Sequence, residues 1–309
     1  MTSLTAASAG RLRAARRPGA ASSRPGFLWA LPATVFFALF ALVPLVLVAV
    51  LSFTEWNGLG DPVFVGMDNW SALLDDPVML KSVWLSLLLT ALGVAFQTPF
   101  SILLGVWAAG KQRNRAVLSA IYFIPLLLSA TAISVLWRSL LDPNFGVPAE
   151  AEWLFGDGNL FGSQSGALAV LVFVGVWQFT PFHTLIYQGA ARAIPQVLYQ
   201  AAEIDGAGRV RRFLHITLPQ LRNAIVTSVI LMVVGGLTTF DIVLILTQGG
   251  PGTDTTITAY YMYDKAFKGF QFGAASAVSL VLVVTATLIS LLVVRLSGYD
   301  RMRGSTEGL

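Results

Sequence analysis

Residues 199–219 read YQAAEIDGAGRVRRFLHITLP, a polar, arginine-bearing stretch between two apolar segments each long enough to cross a lipid bilayer. With both ends held in lipid, the stretch must fold in water, because open loop backbone and charged side chains are not tolerated against hydrocarbon. It therefore reads as a docking element. Ala201, Ala202, Asp205 and Ala207 begin a short helix, and Gly206 and Gly208 permit a bend. Arg209, Arg211, Phe213 and Ile216 begin a second helix, which Pro219 is expected to stop.

Working outward, six segments reach the roughly 20 residues that ~30 Å of hydrocarbon requires. They are 27–52, 82–109, 116–140, 167–189, 224–247 and 273–296. The expected fold is an all-α polytopic membrane protein with six transmembrane helices. Composition agrees: of 309 residues 55% are apolar and only 12% charged, with mean hydropathy +0.71, whereas soluble domains carry about 25% charged residues. Residues 1–26, rich in Ala, Ser and Gly with five arginines and no acid, read as a disordered cytoplasmic tail. A cleaved signal peptide is the rival reading, but segment 27–52 is longer than a signal core. The membrane domain is then 27–296, with a cytoplasmic loop at 190–222, and 297–309 form a second cytoplasmic tail.

Charge sets the orientation. With the amino terminus inside, sixteen of the 20 Lys and Arg fall on the cytoplasmic side, leaving only Lys81, Arg138, Lys265 and Lys268 outside with eleven carboxylates. Both termini and the 199–219 loop are therefore expected in the cytoplasm, by the positive-inside rule.

The spacing Ala-Ala-x3-Gly-x9-Ile-x-Leu-Pro, met by Ala201, Ala202, Gly206, Ile216, Leu218 and Pro219, resembles the "EAA" loop of membrane subunits of binding-protein-dependent ABC importers. The outer loops extend the resemblance: Ser52-Phe-Thr-x-Trp56, Gly66-x-x-Asn69-Trp70 and Thr247-Gln-Gly-Gly-Pro-Gly252 look like the carbohydrate permeases, specifically the large half of maltose-type transporters. The resemblance covers about residues 27–296. It implies a type I importer (MetI-like) permease fold in the bacterial cytoplasmic membrane, and an ATPase-docking loop comprising Gln200, Ala201, Ala202, Glu203, Asp205, Gly206, Ala207, Arg209, Phe213, Ile216, Leu218 and Pro219. The implied partners are a second permease, two ATPase subunits that hold ATP-Mg, an extracytoplasmic sugar-binding protein and the sugar itself. One position departs from the family pattern. Its leading Glu is Gln200 here, which hydrogen-bonds but forms no ion pair, and Glu203 lies one turn on.

Several other chemistries are excluded. Cysteine is absent and histidine limited to His183 and His215, so neither disulfides, thiolate catalysis nor a Cys/His metal site is expected. Gly105-x4-Gly110-Lys111 imitates a Walker A loop, but its glycines close a spanning helix, and Gln112 stands where Ser or Thr would hold magnesium. Leu296-Ser-Gly298 begins like an ABC signature, then breaks at Tyr299 and Asp300. No enzyme activity and no cofactor are expected in this chain. The pI near 9.6 follows from membrane topology and does not imply nucleic acid. Asn69-Trp70-Ser71 is a formal glycosylation acceptor, and Trp29, Trp84 and Trp107 fit an interfacial belt.

Two polar faces are candidates for a solute path. In the fourth span Trp177, Pro181, Thr184 and Gln188 share one face beside Gln178, offering an aromatic plate and hydrogen-bonding groups, while His183 reads as a packing histidine and Pro181 should kink the helix. In the fifth, Ser228, Met232, Gly235, Thr238 and Asp241 recur every three or four residues, as a wall of the path or as a small-residue packing seam. Asp241 is the carboxylate expected deep inside a span, and it supports the alternative of a proton-coupled secondary transporter.

Overall fold

A computed structural model describes residues 29–110, 113–150 and 158–297. The two tails, and Lys111 and Gln112 of the Walker-like motif, lie outside those residues. The chain divides into two compact units, 1–46 and 47–309. In the first, an apolar helix opens the span Leu31–Leu51, and none of its described residues is buried. Pro44 has no N–H to give the turn before it. The helix widens there into a π-turn over Ala38–Leu42, which keeps the proline ring clear of the preceding carbonyls.

In the second unit two long helices form the frame. Pro77–Ala108 starts with Pro77 in its first turn and Asp76 as its cap, the carboxylate accepting from the amides of Val78 and Met79. Gln164–Ala193 is capped by Ser163, which accepts from Gly166 N–H. The two pack closely where Gly105 faces Tyr187: a Cβ on Gly105 would stand 2.7 Å from the Tyr187 Cβ, so glycine there sets how near the helices come. Around them Leu85, Ile133, Val170, Leu171, Val174, Val243 and Leu246 form the main buried core. Phe272–Ser297 is the last long helix.

Two expected spans are not continuous helices. Segment 116–140 is three pieces, Arg113–Tyr122, Ile124–Leu127 and Ala130–Leu140. Pro125 removes a backbone donor at the first break, and the Ser129 hydroxyl, accepting from Ala132 N–H, starts the third piece afresh. Segment 224–247 is Arg222–Thr238 followed by Asp241–Leu246; between them Thr239 takes φ −56, ψ 129 and Phe240 takes φ −137. Asp241 thus begins a short helix and is exposed, instead of lying well inside a continuous one as expected. Pro219 stands, as expected, at the end of the loop's second helix, which stops at Gln220. A π-turn over Phe213–Thr217 precedes it, and the chain bends by 67° between Arg209–Gln220 and Arg222–Thr238. Among the described residues, four unbroken helices and this bent pair are long and apolar enough to span a membrane. The divided segment 116–140 would be the sixth crossing.

Candidate coupling loop and translocation cavity

The loop folds as a helical hairpin. Gln196–Ile204 ends on a glycine cap: Gly206 adopts φ +73, its N–H bonds the Glu203 carbonyl at 3.1 Å, and Ala207 N–H bonds the Ala202 carbonyl at 2.8 Å. These are the two bonds of a Schellman motif, in which the residue at the left-handed position is best glycine. The second helix is anchored from beneath, because Phe213 and Leu218 pack against a buried cluster of Ile102, Tyr187 and Leu221. Tyr199 Oη and Thr217 Oγ1 are 2.9 Å apart and bridge the two helices, and Arg212 lies 3.6 Å from the Glu203 carboxylate.

Of the predicted docking residues, Gln200, Ala201, Glu203, Asp205, Gly206, Arg209 and Pro219 are exposed, while Ala202, Ala207, Phe213, Ile216 and Leu218 are half-buried. Phe213 and Leu218 support the loop from inside. Sequence reasoning missed Ile204 and Val210, which are 88% and 72% exposed. The signal was there: large apolar residues in a stretch already assigned to water require a partner surface to cover them.

A cavity of about 470 Å³ lies among Pro77–Ala108, Gln164–Ala193 and Arg222–Thr238. Its walls are mostly apolar, with Phe179 and Phe182 on one side and Thr90, Gln97, His183 and Thr239 as polar points. The break at Thr239 and Phe240 borders it. Non-helical backbone in a membrane domain persists where it lines a cavity, as Thr239 does here. Gln97 is 6% exposed, and its Nε2 has no hydrogen-bond partner among the described residues. His183 Nδ1 is bonded to Ser228 Oγ at 2.7 Å, the partner a packing histidine needs.

Among the predicted path residues, Gly235 lines this cavity. Thr238 and Asp241 are exposed and adjoin Thr239 and Ile242 of its lining without lining it themselves. Trp177 stacks edge-on to Trp137 with ring centres 5.4 Å apart, Gln178 is 3% and Thr184 1% exposed, and Gln188 Nε2 donates to the Ala108 carbonyl at 2.9 Å. That face of the fourth span is engaged with its own chain. Its neighbours Phe179 and Phe182 turn to the cavity instead, at positions that helical spacing leaves ambiguous between lipid and lumen.

The motifs expected on the outer side hold loops in place. Asn69 Nδ2 donates to the carbonyls of Ser52 and Thr54 at 3.0 and 2.9 Å. Thr255 Oγ1 donates to the Gly250 carbonyl and meets Thr247 Oγ1, each at 2.8 Å, and so closes the glycine-rich turn. Asp76 joins this outer layer: it accepts from Tyr261 Oη at 2.6 Å and lies 3.6 Å from Lys265. Burial pushes its carboxyl up, but the bonds from Tyr261, Val78 and Met79 and the Lys265 charge outweigh that and hold it below its ordinary value.

The family described as the binding-protein-dependent transport system inner membrane component matches residues 101–299. The chain belongs to this family. The permease is also similar along most of its length to individual relatives. It is 30% identical over 273 residues to the multiple sugar-binding transport system permease protein MsmF of Streptococcus mutans, a match spanning 84% of this chain and 93% of that one. It is 30% identical over 288 residues to the diacetylchitobiose uptake system permease protein NgcF of Streptomyces coelicolor, spanning 88% and 81%. In fold it resembles a chain of a bacterial alginate ABC transporter solved with an alginate-bound periplasmic protein, with TM-score 0.76 at 22% identity over 88% of this chain and 93% of that one. The permease therefore has the MetI-like fold of ABC importer membrane subunits.

Proposed function

We propose that this permease forms half of the membrane path of an ATP-driven importer for a sugar or oligosaccharide, and that the exposed side of the 196–220 hairpin, with Gln200, Glu203, Ile204, Arg209 and Val210, is the surface on which an ATPase subunit docks. The observation that carries the reading is the hairpin itself: two short helices joined by a glycine-capped turn, anchored by Leu218 and Leu221, with Ile204 and Val210 turned to the outside. Apolar side chains this exposed on a braced, charged loop suit burial against a partner. The uptake of sugars named for MsmF and NgcF supports the solute class.

In this reading the chain lies in the bacterial cytoplasmic membrane with both termini inside. It works with a second permease, two ATPases that hold ATP-Mg and an extracytoplasmic receptor. Closure of the ATPases moves the hairpin, the bent fifth span follows, and the cavity at Gly235 and Thr239 opens alternately to the two sides. The cavity's few polar points and apolar walls favour brief contact with a solute that must also leave. The test is isolation of the chain from its native membrane under mild detergent. Recovery of an ATPase pair and a second permease, with ATP-dependent sugar uptake after reconstitution with the receptor, is the expected result; a chain that purifies alone and transports without ATP sinks the reading.

A further inference from the structure

We infer that the hydrogen bond between Tyr199 and Thr217 is the latch that passes movement of the first loop helix to the fifth span, making both of them positioning residues. The inference rests on the coupling role just proposed for the hairpin. Two side-chain ties join the hairpin's helices among the described residues, and they differ in kind. Glu203 pairs with Arg212 at 3.6 Å, but its side chain is 72% exposed, so water screens the attraction. The Tyr199 and Thr217 oxygens meet at 2.9 Å, and Thr217 is only 3% exposed. With its Thr217 end buried, that bond is exchanged for one to solvent only at a cost.

The position of Thr217 gives the bond its reach. It ends the π-turn Phe213–Thr217, and its carbonyl accepts from the N–H of Leu221 at 3.0 Å. Leu221 is fully buried and sits at the 67° elbow that begins Arg222–Thr238. From the elbow the helix Arg222–Thr238 runs about 20 Å, at 1.5 Å per residue, to Gly235 and Gly236 at the cavity. A pull on the first helix at Tyr199 is therefore applied one turn before the elbow, with a stiff lever beyond it. Gly206, the other connection between the helices, is a turn with φ +73 and open space around it. It swivels more readily than it pulls.

The test uses the complete complex with its own ATPase subunits in membrane vesicles, and the absence of cysteine from this chain. A single Thr239→Cys reporter in the cavity is labelled with N-ethylmaleimide with and without ATP-Mg, and labelling of this chain alone is read. In the reporter background ATP changes the labelling rate. Tyr199→Phe and Thr217→Val are expected to shrink that change by about two- to ten-fold, the range one hydrogen bond commands. The double variant loses no more than either single one, and Thr217→Ser, which keeps the hydroxyl, restores it. ATPase copurification and ATP hydrolysis stay at the level of the reporter parent, which separates a latch from a loop that has come apart. An undiminished change in the two single variants, additive losses in the double, or loss of ATPase copurification in Tyr199→Phe overturns the inference. If ATP leaves labelling of the parent unchanged, the coupling reading fails first and takes the latch with it.

Discussion

At Gly206 the backbone turns through φ +73, a conformation that costs a residue with a side chain about 1–2 kcal/mol. No atom stands within 4 Å of where a Cβ would be, so the demand for glycine comes from the turn and not from crowding. Gly206→Val, branched at Cβ, should open the Schellman cap and splay the two loop helices. The expected result is an inserted permease with weakened ATPase association or uncoupled hydrolysis, while Gly206→Asn, which tolerates positive φ, retains most of the coupling. Normal uptake in the valine variant would remove the turn from its assigned role. Gly105 is needed for the opposite reason, since its Cβ would meet Tyr187 Cβ at 2.7 Å and backbone atoms at 3.0 Å. Gly105→Ala should part the two long helices at a cost of about 1–3 kcal/mol, read as a lower unfolding temperature in detergent. The first glycine was legible because a bend between two helical patterns calls for one. The second sits inside an apolar run, and its sequence context shows nothing of the tyrosine it faces.

At the scale of elements, apolar length located the spans but could not show where they break. The 224–247 segment passes every test of length and hydropathy, yet a tertiary arrangement divides it. Asp241–Leu246 packs Ile242, Val243 and Leu246 into the core with Ile133, and Arg138 Nη1 donates to the Ile245 carbonyl at 2.9 Å. Those contacts lie more than 100 residues away in sequence, so periodicity within the segment could not report them. Pro219 was legible by contrast, since the helix it was expected to stop ends at Gln220, where the chain bends by 67°. The helical hairpin was legible because its signals are local, and the cavity was not because its walls come from several elements far apart in sequence. The outer layer around Asp76 carries a prediction at this scale. Because the folded carboxyl titrates below its ordinary value of 3.8, its stabilising contribution is complete above that value and is lost as pH falls through the lower, folded one. Acidification in that range should lower the unfolding temperature of the permease. Asp76→Ala should begin about 1 kcal/mol less stable, the worth of a helix cap, and show a flatter acid limb; an identical limb in both proteins would assign the acid loss to other groups.

For the whole molecule, orientation and energy source are the two properties that place the hairpin and the cavity in a working cycle. The cysteine-free chain allows the first to be read directly: single cysteines at Ser71, Ser163 and Thr253 should react with an impermeant maleimide from outside. Those at Ser22, Gln112 and Ser305 should react only after permeabilisation, and a reversed pattern would put the hairpin on the wrong side for an ATPase. The energy source turns on Asp241, the residue that made a proton-coupled carrier worth testing. It is exposed at the start of a six-residue helix, between the cavity-lining residues Thr239 and Ile242. Asp241→Asn keeps the size and hydrogen-bonding capacity of the side chain, and is expected to retain substantial uptake that requires ATP and survives collapse of the proton gradient. Loss of uptake in that variant would not by itself distinguish a proton carrier from a carboxylate that touches the solute or the second permease. The unmodified complex decides between them. In vesicles without ATP, an imposed proton gradient should drive no accumulation, because an importer powered by its ATPases has no step that spends the gradient; gradient-driven uptake under those conditions would overturn the ATP-driven mechanism.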